Sequence, residues 1–176
     1  MKTIIAVLVG FAALSSSAMA QDIEPFQQAV TDLGGNWSGT LEYRDYQSDE
    51  RVEIAHNRSV SFAPDGSYML TELSYADPGY QVYAAELATL NGQTLLIASI
   101  GNGEIESVEA TLTEFAETDT GWIARFSGVG MDAGELADFR YVFEHNGDTL
   151  VQTKLVRAEG EDGFSFRNAV RIGRVD

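Results

Sequence analysis

From Trp37 onward, apolar and polar residues alternate in short runs, the two-residue period of strands with one buried face. The pattern predicts strands at Trp37–Tyr46, Ser59–Ala63, Ser67–Tyr75, Tyr80–Leu90, Thr94–Ile100, Ser107–Phe115, Gly121–Ser127, Asp138–His145, Thr149–Arg157 and Phe164–Ile172. Pro64-Asp65-Gly66, Asn91-Gly92 and Asn146-Gly147 fall between runs and carry hairpin-turn chemistry. Neighbouring strands should therefore pair antiparallel, in up-and-down order. With no helical run long enough for a βαβ crossover, the pattern predicts an all-β barrel or sandwich.

Alternation also assigns the inner faces. In the first strand Trp37, Leu41 and Tyr43 share one side, with Glu42 and Arg44 on the other. Trp122, Ala124 and Phe126 form a second inner set, and Phe139, Tyr141 and Phe143 a third. Phe164, Phe166, Val170 and Ile172 form the last. Thr94–Ile100 is apolar on both faces, so its outer side is expected to be covered by the N-terminal helix. That helix is predicted between Asp22 and Leu33, where Ile23, Phe26, Val30 and Leu33 repeat at helical spacing. Asp22 is placed to cap its start and Gly34-Gly35 to end it.

The first twenty residues have another pattern. Lys2 precedes an uncharged apolar run from Ile4 to Leu14, and Ala18-Met19-Ala20 is a small-x-small cleavage site. This is the pattern of a signal peptide cut before Gln21, and the run is too short to span a bilayer. Removing 20 of 176 residues leaves a 156-residue single domain, 21–176, expected in a periplasm or outside the cell. The chain has no cysteine, so no disulfide supports the domain. Losing Lys2 with the leader takes the net charge from −16 to −17 and leaves Lys154 as the only lysine. So acidic a surface repels phosphate backbones and anionic headgroups, which argues against nucleic-acid binding and stable membrane association.

The stretch Gly35-Asn36-Trp37, behind a short helix and ahead of strands joined by hairpins, resembles the start of calycin-superfamily barrels, the lipocalin-like fold. The run Trp-Ser-Gly-Thr-Leu-Glu-Tyr-Arg-Asp-Tyr from Trp37 is also similar to bacterial lipocalin-like proteins of unassigned function. The resemblance implies a single antiparallel up-and-down barrel, closed at one end by the helix and entered from the other. It implies that Trp37 plugs the closed end beneath a basic side chain of the last strand, either Arg171 or Arg174.

Candidate chemistry centres on the lumen. Tyr43, Tyr75, Tyr83, Trp122, Phe126, Phe139 and Tyr141 are the expected aromatic lining of a small-molecule cavity. Asp45, in phase with Trp37, Leu41 and Tyr43, is a candidate to orient a ligand or to act as a general base with its pKa raised by burial, or else a carboxylate left at the rim. Glu72 and Glu86 are lesser candidates of the same kind. His56 is placed in a loop and His145 beside a turn, where surface exposure is the default. Haem held through either one is the alternative cofactor reading; otherwise no cofactor is expected. No metal-ligand spacing, nucleophile motif or phosphate loop is present. The expected partner is a small, largely apolar molecule. Two alternatives stay open: a lyase- or isomerase-type cavity enzyme, and a filled barrel acting through its acidic loops.

Overall fold

The computed structural model describes residues 23–45, 48, 50–77, 79–132 and 134–176. The expected leader, Asp22 and Tyr46 lie outside the described residues. Helix α1 (Glu24–Ala29) tightens into a 3-10 turn at Val30–Leu33. Pro25 stands in the first turn, where its missing N–H costs nothing. Ten strands follow: β1 (Gly35–Arg44), β2 (Arg51–Phe62), β3 (Met69–Asp77), β4 (Tyr80–Asn91), β5 (Thr94–Gly101), β6 (Glu104–Thr118), β7 (Gly121–Asp132), β8 (Glu135–Asn146), β9 (Thr149–Ala158) and β10 (Ser165–Val175).

Each strand pairs antiparallel with the next, and β10 pairs with β1, so the sheet closes into a barrel. Closure leaves no unpaired sheet edge, the usual liability of an all-β chain. The seam sets Trp37 opposite Arg174 and Leu41 opposite Val170. Gly92 and Gly147 take φ of +57° in their hairpins, a conformation that Asn-Gly supplies without strain. Gly39 serves a different purpose: a Cβ there would lie 2.1 Å from the Arg171 carbonyl oxygen, so only glycine lets β1 approach β10 this closely.

The barrel is filled unevenly. From β6–β8, Phe115, Trp122, Phe126, Phe139 and Phe143 point inward and pack together. Phe26 of α1 enters this cluster, with ring centroids 5.7 Å from Phe115, 6.0 Å from Trp122 and 5.4 Å from Phe126. The opposite wall, β3–β5, turns in small side chains such as Thr71, Ala84, Ala88 and Ser99. The aromatic rings of the lumen thus concentrate on one side of the barrel.

Four expectations differ from the structure. The helix does not cover the outer face of β5, where Leu96 and Ile100 are 44% and 55% exposed. Its one large buried ring, Phe26, is anchored in the barrel end instead. Strand β2 begins at Arg51 rather than Ser59, which puts His56 inside the strand and 2% exposed; His145 is 7% exposed. A bulge between Phe166 and Asn168 reverses the phase of early β10. Phe166 accordingly lies under the guanidinium of Arg51, 3.8 Å from the ring centroid, and Phe164 under Arg140, at 4.0 Å, while Arg167 turns inward. Tyr83, between inward Val82 and Ala84, faces out and is 73% exposed.

Candidate functional site

At the helix end, Trp37 is 1% exposed and its Nε1 donates to the Leu33 carbonyl at 2.8 Å. Arg174 lies over the indole, 4.4 Å from the ring centroid. Its guanidinium also donates to the carbonyls of Gly34 and Asp32, both at 2.6 Å. One side chain thus covers the tryptophan and satisfies the end of the 3-10 turn, where carbonyls lack helical partners. Arg171, one residue out of phase, sits outside the barrel. It pairs with Glu42 at 2.8 Å, as does Arg51. Burial alone would raise the Glu42 pKa, but the hydrogen bonds and charges of the two arginines outweigh it and hold the carboxyl below its usual value.

Because the helix fills only the β6–β8 side of this end, a cavity of about 680 Å³ remains beside it. Its walls include Val30, Phe62, Met69, Leu90, Leu95 and Ile97, and the Pro64–Tyr68 turn forms its lip. Leu33, Met69, Ala88, Ile97 and Phe143 also line a smaller pocket of about 50 Å³ deeper in the lumen. The two spaces are neighbours across Ala88, where a larger side chain would divide them.

The inner pocket has a polar pole. Arg58 projects from β2 and donates from Nε to His56 Nε2 and from Nη1 to Gln152 Oε1, both at 2.8 Å. Both acceptors are neutral. His56 Nε2 accepts a bond, so the neutral ring carries its proton on Nδ1, which is buried without a partner among the described residues. Burial, then the charge of Arg58, lowers the His56 pKa to about 3. Burial likewise depresses the Arg58 pKa, and the charge of Glu86 pulls it back. Glu86 lines the same pocket, yet no ion pair joins it to Arg58 among the described residues.

The opposite mouth is lined by charge. Asp132 accepts from Lys154 and from Arg167, each at 3.2 Å, and all three side chains are less than one-fifth exposed. Arg167, turned in by the bulge, also donates to the Arg44 carbonyl. Tyr141 has its hydroxyl pKa pushed up to about 12, by burial first and then by Glu86, Asp132 and Glu106.

The candidates read from the sequence fall elsewhere. None of Tyr43, Asp45, Tyr75, Tyr83, Trp122, Phe126, Phe139 and Tyr141 lines the helix-end cavity or its inner pocket. Trp122 and Phe126 are core fill, 3% and 1% exposed, and Phe139 packs on Tyr141 at 5.1 Å. Tyr75 stacks on His56 at 6.3 Å. Asp45 lines a mouth groove of about 220 Å³ and accepts from Ser48 N and Oγ, at 2.9 and 2.6 Å, which makes it a turn-forming rim residue. His145 stacks on Trp122 at 5.3 Å. A haem iron at His56 would have to displace Arg58 from Nε2 or find room at Nδ1. Among the described residues no group of three or more histidines and carboxylates is placed to hold a metal ion.

Arg58 and Gln152 were missed, although one sign of Arg58 was available. The phase of Ile54 and Val60 runs through His56 and Arg58, and an inward reading of that phase would have placed both in the lumen. No protein-family model matches the chain, and no curated protein matches its sequence.

Proposed function

We propose that this is an exported calycin-type barrel that binds one small, largely apolar molecule, taken up beside α1 rather than through the opposite mouth. The cavity at the helix end carries the reading. Its volume of about 680 Å³ falls within the usual range for small-molecule sites, and its walls are mostly aliphatic and aromatic. Burying ligand surface there would contribute about 25 cal/mol per Å² of apolar area before association costs. The charge network at the other mouth argues against entry for an apolar molecule on that side. The leader pattern of residues 1–20 supports action outside the cytoplasm.

The test is uptake of the neutral fluorophore N-phenyl-1-naphthylamine by the mature protein, with native mass spectrometry of the material as purified. Saturable uptake that Ala88→Phe abolishes, without loss of thermal stability, is the expected result. A protein that purifies empty and takes up no probe would sink the proposal in favour of a barrel acting through its acidic loops.

A further inference from the structure

The polar pole of the inner pocket limits what can be bound. Arg58 spends two of its donor groups on His56 and Gln152 and keeps the rest of its fork free to donate, among the described residues. Glu86 lines the same small space and offers only acceptors when ionised. The pocket therefore presents a donor and an acceptor that do not meet. Both side chains are part-buried and do not pair with each other, so a head group that reaches them meets a donor and an acceptor together.

We infer that the ligand carries a neutral head that both accepts and donates hydrogen bonds, a primary alcohol or primary amide, seated between Arg58 and Glu86, with its apolar chain in the helix-end cavity. This deepens the binding reading above and rests on it. An ionised carboxylate would satisfy Arg58 but face Glu86, and like charges brought together weaken binding. The acidic surroundings that act on Tyr141 oppose a second anion in the same sense. An ammonium head would satisfy Glu86 but meet Arg58. A small head also suits a pocket of about 50 Å³, a few times the minimum of about 10–15 Å³ that holds one water. The apolar chain would pass Ala88 into the larger space, where Leu95 and Ile97 can cover it.

The experiment is competition against bound N-phenyl-1-naphthylamine by four ten-carbon compounds with one chain and different heads: decan-1-ol, decanamide, decanoate and decylamine. Wild-type protein is compared with Glu86→Gln, which keeps shape and removes charge, and with Arg58→Met. The alcohol and amide should displace the probe at concentrations about tenfold or more below decanoate and decylamine. Glu86→Gln should narrow the gap for decanoate several-fold, and Arg58→Met should narrow it for decylamine. Decanoate equal to or better than decanol in the wild type would overturn the inference, as would a decanoate penalty unchanged by Glu86→Gln. Should Arg58→Met fail to fold, the Glu86→Gln comparison decides alone. Probe uptake without preference among the heads overturns the head-group inference but leaves the cavity reading standing. Absence of probe uptake removes both.

Discussion

Replacing Trp37 tests the closure of the barrel most directly, because three kinds of interaction meet on one ring. The indole is 1% exposed, donates to the Leu33 carbonyl at 2.8 Å, and lies under Arg174 at 4.4 Å. Trp37→Ala removes a buried aromatic from a packed site, a change that costs about 3–5 kcal/mol. Of this, the lost hydrogen bond accounts for about 1 kcal/mol. Arg174→Met keeps the alkyl stem over the ring and deletes the charge together with the bonds to Gly34 and Asp32, at a cost of about 1–2 kcal/mol once its partial exposure is considered. The double variant isolates the contact between ring and guanidinium, and a coupling of about 0.5–1 kcal/mol is expected for such a pair at a partly exposed site. Urea unfolding followed by far-ultraviolet circular dichroism gives all four corners of the cycle. Trp122 remains in every variant as a fluorescent second probe. A Trp37→Ala cost below about 1 kcal/mol would refute the plug, since core truncations of this size cost far more. A coupling of zero would refute the cation–π contact while leaving the plug intact.

Acid should weaken the fold through His56. Its pKa is about 3 in the folded chain against 6.5 as a free side chain, so between those values the unfolded chain binds the extra proton. The stability at stake is present above pH 6.5 and lost as pH falls toward 3, at up to about 1.4 kcal/mol per pH unit. His56→Gln keeps an acceptor for Arg58 and should flatten the dependence of the urea midpoint between pH 6.5 and 5; an unchanged slope would count against the buried neutral ring. Gly39→Ala places a Cβ 2.1 Å from the Arg171 carbonyl oxygen and 2.9 Å from the Ile172 Cα, and should cost about 1–3 kcal/mol by forcing the seam apart. A thermal midpoint equal to wild type would show that β1 and β10 do not approach this closely. Asp132→Asn removes the carboxylate shared by two mostly buried cations, Lys154 and Arg167, and should cost about 3 kcal/mol, with little relief from salt. A cost below about 0.5 kcal/mol would mark the mouth network as solvated.

The sequence by itself determined the features that depend on near neighbours in the chain. Side-chain period and turn chemistry are local, so the number of strands, their antiparallel order and the inward sets of β1, β7 and β8 were legible. The hairpins at Asn91-Gly92 and Asn146-Gly147 followed from the φ that glycine adopts freely. The helix was legible from its spacing, and Trp37 was placed as the plug by resemblance. Tertiary structure decided what depends on partners far apart in the chain. Alternation says that Arg171 and Arg174 face opposite ways, but only pairing of β10 with β1, about 130 residues earlier, selects which one covers Trp37. One extra residue near Arg167 reverses an inner face, and no local pattern announces it because bulging is settled by the partner strand. His56 and Arg58 looked like loop residues because polar side chains interrupt the apolar alternation. His56 is buried in the strand, and Arg58 finds an acceptor in Gln152, 94 residues further on. The place of the cavity was equally hidden. Aromatics are conspicuous in a sequence, but Trp122, Phe126 and Phe139 are buried in the core, and the cavity opens at the helix end between α1, the Pro64–Tyr68 turn and β3–β5.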